Sequence, residues 1–370
     1  MSRAADLLAR VRLMRTPSIG PITYRQLLLR FGSAEAALAA VPDLAARGGG
    51  RPVQVCDARA AEREIEQVAK LGARYLAIGE GLYPSALAET DGAPPLLIAQ
   101  GDLRLFERPL VAIVGARNAS AAAIRFARQL AWDLGREDVV VVSGLARGID
   151  AAAHDGAMDS GTIGCTAGGV DIFYPPENEA RQRRMFEVGL VLSETPPGYE
   201  PRARDFPRRN RIIAGMSAGT VVVEAAPRSG SLITARMAAE MGREVMAVPG
   251  SPLDQRAQGC NGLIRDGATL VQNAAEVLEA VRPGPAARVR SGRHLFDHRA
   301  EVPALAGTSE PEADERARVE ELLGPSPAPV DDLVRLSGLA SGAVQLILLE
   351  LDLAGRLDRH AGGRVSLRAA

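Results

Sequence analysis

The residues best suited to binding chemistry in this sequence are the arginines between positions 181 and 211. Eight arginines stand there against four acidic residues, a local net charge of +4 in a chain whose net charge is −1. Phe206 lies in this segment, and a polar run follows it: Arg208, Arg209, Asn210 and Arg211. An aromatic ring can stack on an unpaired base while arginines bind phosphates, which is how proteins hold single-stranded nucleic acid without reading its sequence. A salt-bridged helix start with Phe206 as its hydrophobic staple explains the same residues, so both interpretations stay open here.

Glycines, serines and further arginines recur where predicted strands end. The members of this group are Gly115, Arg117, Ser143, Gly144, Arg147, Gly148, Ser229, Gly230 and Ser231. Because the carboxyl ends of parallel strands meet at one edge of a sheet, these residues are expected to line one crevice. Small residues let backbone amides approach a ligand, and helix N-termini favour anions, so the sequence predicts a phosphate-binding crevice.

Missing motifs exclude several cofactor and metal classes. The first strand of the predicted sheet ends in Gly115-Ala116-Arg117 and not in GxGxxG, and Ser143 stands where an acidic residue would bind a ribose. The one lysine, Lys70, lies outside any GxxxxGK[ST] sequence, which excludes a Walker A loop. Three separated cysteines without a CxxC pair, together with only four histidines, predict no metal site and no disulfide framework. We therefore expect neither a cofactor nor a metal.

No catalytic residue is predicted. Residues 215–219 match GxSxG, but a helical segment precedes them and a strand follows, the reverse of the order that a nucleophile elbow needs. His154, four residues after Asp150, is interpreted as a packing or capping residue on an alanine-rich helix and not as a general base. Cys165 lies within an apolar strand and is expected in the core.

Six short apolar runs rich in β-branched residues predict strands that are covered on both faces. These runs are 110–114, 139–142, 162–165, 190–192, 220–223 and 244–248. Helical segments such as 121–134 and 231–241 lie between them, and the alternation predicts an α/β fold with a Rossmann-like parallel sheet. Residues 74–78 and 95–99 are candidates for two further strands.

Four segments are predicted along the chain. They are a helical domain at 1–61, the Rossmann-like domain at 62–282, a linker rich in Pro, Gly and Arg at 283–314, and a winged-helix-like domain at 315–370. The first resembles a SAM-like helix-hairpin-helix unit around Ile19-Gly20-Pro21, where the scarcity of basic residues favours a structural role over phosphate binding. The predicted recognition helix of the last segment presents Gln345 and Glu350 and no arginine, so we expect it to pack or to contact protein.

Neither secretion nor a membrane span is predicted. No stretch approaches ~18 uncharged apolar residues, and the first residues lack an apolar signal region. The separated cysteines fit a reducing compartment, so a cytoplasmic protein without membrane contact is expected.

Several blocks of the sequence resemble the DNA-processing protein A (DprA/Smf) family. The resemblance is dense and in order between about 95 and 280. It rests on residues 111–117, 143–154, 174–178, 206–215, 229–235, 248–251 and 259–264. The flanking helical and winged-helix segments resemble the family's optional domains more loosely.

The resemblance implies a non-enzymatic protein of natural transformation that binds incoming single-stranded DNA. It further implies that the protein relieves the coating of this DNA by single-strand-binding protein, loads the RecA recombinase and forms a homodimer through its Rossmann-like domain. Arg117 corresponds to the family's DNA-contacting arginine, and residues 206–211 to its basic pocket wall. Some members carry a lysine near Pro176 that this chain lacks, and either Arg181 or Arg202 is a candidate to replace it.

Two other function classes stay open at this stage. A nucleotide-hydrolysing enzyme of the lysine-decarboxylase-like group has a similar sheet, but it needs a PGGxGTxxE motif for its catalytic glutamate. The nearest stretch, 215–224, ends in Glu224 and lacks the Pro-Gly-Gly. A nucleotide-sensing module without catalysis is the third class, and it would prefer mononucleotides to oligomers.

Overall fold

The computed structural model describes residues 3–50, 53–282, 310–360 and 362–368, so most of the predicted linker at 283–314 lies outside the described residues. The described chain forms two compact units. We call the first the terminal unit, since it combines the residues up to Ile65 with those from 310 onward. The second, from Glu66 to 282, is called the sheet unit.

The helices of the described residues are numbered in chain order. They are α1 Arg3–Arg15, α2 Pro21–Phe31, α3 Ala34–Arg47, α4 Ala58–Lys70, α5 Ser85–Ala88, α6 Ala121–Arg136, α7 Ile149–Ala157, α8 Glu179–Val188, α9 Asp205–Met216, α10 Gly230–Glu240, α11 Gln258–Arg265, α12 Ala274–Val281, α13 Ala313–Glu321, α14 Val330–Ser337 and α15 Ser341–Leu353. The predicted helices at 121–134 and 231–241 are thus confirmed as α6 and α10.

The sheet unit is built on nine strands. They are β1 Arg74–Ala77, β2 Leu96–Gly101, β3 Leu110–Gly115, β4 Val140–Ser143, β5 Thr162–Cys165, β6 Leu190–Ser193, β7 Gly219–Val223, β8 Glu244–Ala247 and β9 Thr269–Leu270. Their order across the sheet is β1-β2-β6-β5-β4-β3-β7-β8-β9. The strands from β6 to β9 in this order are mutually parallel, so the predicted Rossmann-like sheet is confirmed.

The edge formed by β1 and β2 departs from the expected parallel arrangement. Both candidate strands exist, but β1 pairs with β2, and β2 with β6, in antiparallel register. Only the four-residue helix α5 lies between β1 and β2. It is too short to span the sheet and return the chain for a parallel pairing.

Alternation along the central strands fills a core on each face of the sheet. In β4, Val140 and Val142 face one cluster together with Ile213, while Val141 faces the other together with Leu130. All of these side chains are at most 2% exposed. Burial on both faces is why the strands read as continuous apolar runs.

The strand order reverses between β3 and β7. From β3 the chain proceeds through β4, β5 and β6 to one side, and it then returns to β7 and continues through β8 and β9 on the other. Such a reversal leaves a crevice outside the carboxyl ends of the two strands, because their following segments turn to opposite faces. Arg117 follows β3 and Glu224 follows β7, so both residues stand at this crevice.

The terminal unit places α15 at its centre. Leu346, Leu349 and Leu353 pack in one cluster with Tyr24 and Leu27 of α2. A second cluster joins other α15 side chains to the remainder of the C-terminal segment: Ile347, Leu348, Leu351, Leu333 and Val365. A helix that is apolar all round is typical of a buried helix, and α15 is buried between the two ends of the chain.

The polar residues Gln345 and Glu350 of α15 also face protein, as expected from the lack of arginine on this helix. Glu350 is only 1% exposed, and its carboxylate accepts hydrogen bonds from Arg316 Nε and Nη2 at 2.7 and 2.9 Å. Gln345 Oε1 accepts from Gln26 Nε2 of α2 at 3.1 Å. The expected packing role of this helix is thereby confirmed. The winged-helix-like segment also contains a short sheet of three strands, in the order β10 Ala328–Pro329, β12 Arg364–Leu367 and β11 Leu357–His360.

The turn of the helix-hairpin-helix unit lies beside acidic side chains. Ile19 is 5% exposed, and residues 18–23 line a cavity of about 410 Å³ whose opposite wall includes Asp352 and Asp358. Arg359 and Arg368 line the same cavity and pair with Asp352 and Asp358 at 2.8 Å each, so these carboxylates are already neutralised. The structural role of the turn stays a prediction.

In the described ranges, no single helix is long and apolar enough to cross a membrane, and only α14 and α15 together, which meet at a bend of 120°, have the length and composition for a span. No group of three or more His, Cys, Asp or Glu side chains in these ranges could hold a metal ion.

Candidate nucleic-acid interface

Two adjoining cavities open at the carboxyl ends of the parallel strands. The larger, about 640 Å³, lies at the strand-order reversal between β3 and β7, and the smaller, about 390 Å³, lies over β4 and β5. Residues that line both cavities are Arg117, Asn118, Ala146, Phe206 and Arg209. We call the two cavities together the crevice. The sequence predicted its position from the residues that follow the strands.

Arg117 and Phe206 form the partition between the two cavities. Arg117 is exposed, and its guanidinium carbon lies 5.1 Å from the centroid of the Phe206 ring. In the part of the chain that the structure describes, no carboxylate pairs with Arg117. Its charge is therefore available to a ligand, and the ring beneath it orients the planar guanidinium.

Tyr174 is a second aromatic residue at the crevice, and our sequence interpretation did not assign it a role. Its ring is 49% exposed and lies 5.5 Å from the Phe206 ring, centroid to centroid, with a tilt of 48°. The signal that could have revealed it is an aromatic residue directly before two prolines, in a loop that follows a strand end. Two tilted rings offer two differently oriented surfaces for stacking.

Arg209 forms the floor of the crevice and is committed to the protein. It is 6% exposed, and its Nη1 donates hydrogen bonds to the carbonyl oxygens of Gly144 and, at 2.7 Å, of Cys165. Burial lowers the pKa of this guanidinium from its ordinary value, an effect that the nearby Asp150 opposes. Burial also shifts the pKa of Asp150, but upward, because it disfavours the charged carboxylate. Asp150 Oδ2 accepts a hydrogen bond from the Gly144 amide at 3.1 Å. These groups fix the loop after β4.

The other arginines of the 208–211 run differ in accessibility. Arg211 Nη2 lies 2.5 Å from Glu194 Oε1, and its Nη1 donates to the Gly92 carbonyl, so this side chain is occupied. Arg208 is 56% exposed, and its Nη2 lies 4.0 Å from the same carboxylate oxygen. Of the three arginines in the run, Arg208 is therefore the one open to solvent.

Ser143 and the neighbouring glycines shape the backbone and do not present side chains. Ser143 was expected to line the crevice but lines neither cavity, because it is fully buried and its hydroxyl donates to the Ile113 carbonyl at 2.6 Å. Gly148 has a φ of +74°, and an added Cβ would lie 2.2 Å from the Ala116 carbonyl oxygen. At Gly115 an added Cβ would lie 1.9 Å from the Val223 carbonyl oxygen. At these two glycines, only a residue without a side chain allows such close approach of strands and loops.

The predicted serines mark an open helix N-terminus on the larger cavity. Ser229 caps α10, since its Oγ accepts from the Ser231 amide at 3.4 Å, and its hydroxyl also bonds that of Ser231 at 2.8 Å. Gly230 is exposed, and its carbonyl accepts from Asn210 Nδ2 at 3.4 Å. Backbone amides and the helix dipole favour an anion at such a position.

The N-terminus of α6, in contrast, is already occupied by a carboxylate. Glu224 Oε2 accepts from the Ser120 amide at 2.6 Å, and Glu224 Oε1 lies 3.6 Å from Arg256 Nε. Glu224 is the residue that a catalytic reading of 215–224 would need. Here its carboxylate caps a helix.

Three further arginines at or near the crevice can be ranked by their partners. Arg147 is 60% exposed and pairs with Glu177 at 2.6 Å. Arg181 is held by Asp155 at 2.6 and 2.9 Å. Arg202 is exposed and has no acidic partner for its side chain among the described residues. Arg202 is therefore the more accessible of the two candidates for the place of the lysine near Pro176, and that replacement stays a prediction.

The motifs that we set aside occupy structural positions. Residues 215–219 join the end of α9 to β7, so helix precedes strand as predicted. His154 is fully buried, its Nδ1 lies 2.8 Å from Thr162 Oγ1, and burial lowers its pKa to about 3. Cys165 is in the core, where burial raises the pKa of its thiol to about 12.

Comparison with known proteins now places the chain. A family model described as DNA recombination-mediator protein A matches residues 74–282, which is more than half of the sequence. The chain belongs to the DprA/Smf family. Models of the DprA-like N-terminal HHH domain and the DprA winged helix domain match residues 4–67 and 303–363. These matches confirm the resemblance and the three-part fold expected from the sequence.

Individual DprA/Smf relatives extend the comparison. The chain is 46% identical to DNA processing protein DprA of Streptococcus pneumoniae over 53% of its own length and 70% of that protein. It is 37% identical to protein Smf of Escherichia coli over 78% and 76%, respectively. The solved S. pneumoniae DprA structure has a TM-score of 0.57 at 42% identity, covering 60% of this chain and 77% of that one. A Helicobacter pylori DprA structure, described for its single-stranded DNA binding mode, has a TM-score of 0.51 at 28% identity, covering 56% and 94%.

Proposed function

We propose that this protein binds single-stranded DNA in the crevice and serves DNA uptake by helping to load RecA onto that DNA. The observation that carries the proposal is Arg117 stacked on Phe206, 5.1 Å from its ring, at the strand-order reversal. The single-stranded DNA binding described for the H. pylori relative supports the same ligand.

The crevice offers both kinds of contact that a single strand needs. Phe206 and Tyr174 supply ring faces for unpaired bases, and their 48° tilt suits two bases that are not parallel. Arg117 and the amides at the start of α10 supply phosphate contacts. A duplex keeps its bases stacked and away from these rings, so it is expected to bind more weakly.

The charge at the crevice agrees with a polyanionic ligand. Arg117 and Arg228 line the larger cavity and are exposed, and among the described residues neither has an acidic partner for its side chain. Arg202 and Arg208 are not lining residues, but each is exposed and directly follows one, Pro201 and Pro207, respectively. The whole chain carries a net charge of −1, so this local excess, and not the overall field, attracts the phosphates.

Non-enzymatic action, partners and assembly complete the proposal. The family description as a recombination mediator supports a handover of DNA to RecA, with displacement of single-strand-binding protein and a homodimer as further parts of the proposal. The engagement of Glu224 with Ser120 and Arg256 argues against hydrolysis of a nucleotide. Incubation with nucleoside monophosphates should accordingly release no free base.

A salt series with labelled oligonucleotides tests the proposal. Affinity for a single strand should fall with salt at a log–log slope of about −0.7 for each phosphate neutralised, and several contacts give a slope of a few units. A duplex of the same length should bind clearly more weakly at each salt concentration. Equal affinities for the two forms would contradict binding through the aromatic rings.

A further inference from the structure

The outer face of α6 presents the chain's only tryptophan to solvent. Trp132 is 48% exposed, and the guanidinium carbon of Arg136 lies 5.0 Å from its ring centroid. At 3.6 residues per turn, Arg125, Arg128 and Trp132 fall on one face of the helix together with Arg136. We call these four residues the α6 stripe. An aromatic ring between arginines is the pattern that holds a single strand by stacking and by phosphate contacts.

The charge of the α6 stripe is little compensated. Arg125 and Arg136 are exposed, and no acidic side chain of the described ranges pairs with either. Arg128 lies 3.5 Å from Asp155, but that carboxylate also binds Arg181 through both of its oxygens. The stripe therefore attracts anions, and Trp132 stays 48% exposed beside the Arg136 guanidinium.

The stripe begins close to the crevice. Arg117 is four residues before α6, and the helix rises about 1.5 Å per residue, so the arginines from 125 to 136 span about 16 Å along its length. We propose that the α6 stripe is a second contact surface for single-stranded DNA. It binds the part of the strand that extends out of the crevice past Arg117. This inference rests on the proposed function. Continuity with the crevice favours DNA over an acidic protein segment, which the same charges would attract.

Trp132 is its own reporter, because no other tryptophan contributes to the fluorescence of the chain. The full-length protein is titrated with oligothymidylates of about 5 and about 30 nucleotides, and binding is followed in parallel by anisotropy of an oligonucleotide label. The longer strand should quench the tryptophan emission at saturation. The shorter strand, held in the crevice, should bind without quenching.

Two variants test the stripe independently of fluorescence. Trp132→Ala should weaken binding of the longer strand at least about fivefold, the lower end for loss of one stacked base, and leave the shorter strand unaffected. Arg125→Ala should make the salt slope shallower by about 0.7 for the longer strand alone. Arg74→Ala removes an exposed arginine at the β1 edge of the sheet and serves as the matched control, with no change for either strand.

The possible outcomes separate this inference from the proposed function. Saturable binding of the longer strand without tryptophan quenching, and with Trp132→Ala binding like the wild type, would overturn the α6 stripe and leave the crevice intact. Quenching by an acidic peptide such as oligoglutamate, but not by DNA, would assign the stripe to a protein partner and overturn it as well. Failure of both strands to bind would overturn the proposed function, and the stripe with it.

Discussion

Arg117 and Phe206 touch each other, yet they are expected to contribute different kinds of binding energy. Arg117→Ala removes one phosphate contact, so it should weaken single-strand binding and make the salt slope shallower by about 0.7. Phe206→Ala should cost about 1–3 kcal/mol, the range for one stacked base, and leave the slope nearly unchanged. Anisotropy titrations at several salt concentrations measure both quantities.

Controls for this pair address charge and folding. Arg117→Lys keeps the charge without the planar fork, so its affinity should lie between those of the wild type and Arg117→Ala. Each variant should melt like the wild type, because Phe206 is only partly buried. If Arg117→Ala bound single-stranded DNA with wild-type affinity, the proposal that the crevice is the DNA site would be wrong.

His154 should make the stability of the sheet unit depend on pH. Its pKa is lowered to about 3 by burial, whereas in the unfolded chain it is near 6.5. Above pH 6.5 the imidazole is neutral in both states, and as the pH falls from 6.5 towards 3 only the unfolded chain gains a proton. The free energy of unfolding should therefore fall by up to about 1.4 kcal/mol per pH unit in this window.

The variant His154→Gln isolates this effect from the titration of carboxylates. An amide can still donate to Thr162 Oγ1, which itself donates to the Val141 carbonyl. Denaturant unfolding at pH 7, 5.5 and 4 should show the variant losing less stability than the wild type. Parallel pH profiles for the two proteins would show that His154 does not titrate in this way.

At the scale of elements, we expect the stability of the terminal unit to depend strongly on the buried ion pair between Glu350 of α15 and Arg316. Arg316→Ala would leave the Glu350 carboxylate, 1% exposed, without its bidentate partner and with Arg47 Nη1 at 4.0 Å as the remaining cation. Loss of one partner of a buried pair costs about 3–5 kcal/mol, and the remaining cation should keep the loss at the lower end of that range. Amide hydrogen exchange along α15 should report this loss as faster local opening.

Arg335→Ala is the matched control for the buried pair. Arg335 lies in the same unit and pairs with Asp332 at 2.8 Å, but its side chain is 71% exposed. Exposed pairs of this kind contribute at most about 1 kcal/mol. Equal effects of the two substitutions on amide exchange in α15 would argue that water solvates the Glu350 carboxylate and that the pair does not behave as a buried one.

Which elements could be predicted depends on whether the signal is local. The strands β3 to β8 could be read from the sequence, because a strand buried on both faces is a continuous apolar run. The burial of Arg209 could not, since its neighbour Arg208 has the same residue type and successive helix residues point 100° apart. The packing of α15 against α2 could not be predicted either, for another reason. Leu27 and Leu349 share a cluster across about 300 residues of sequence, and no local pattern records such a pairing.

At the scale of the whole molecule, the sheet unit is expected to bind DNA without the terminal unit. A fragment of residues 58–282 keeps its own clusters, including the packing of Val68 of α4 against Ile98 and Met185. It also retains all crevice residues, so its single-strand affinity should lie within tenfold of the full chain, or ~1.4 kcal/mol. A larger loss in the same anisotropy assay would show that the terminal unit takes part in binding.

Deleting only residues 310–370 should have a different effect. It would uncover Tyr24 and Leu27, which are at most 1% exposed and pack on α15. An exposed apolar patch of this kind promotes association, so this deletion should bind the dye ANS and aggregate, while the 58–282 fragment should not. Light scattering and dye fluorescence compare the two.

The division of the terminal unit between the two ends of the chain also bears on synthesis. Leu27 leaves the ribosome roughly 15–60 s before Leu349, given translation at about 5–20 residues per second. During that time the sheet unit can fold, whereas the cluster that α1, α2 and α3 share lacks the α15 side chains that complete it. The first helices to be made are thus the last to be fully buried. A nascent chain that stops before α15 displays them, and so marks itself as incomplete to the chaperones and proteases that bind exposed apolar segments.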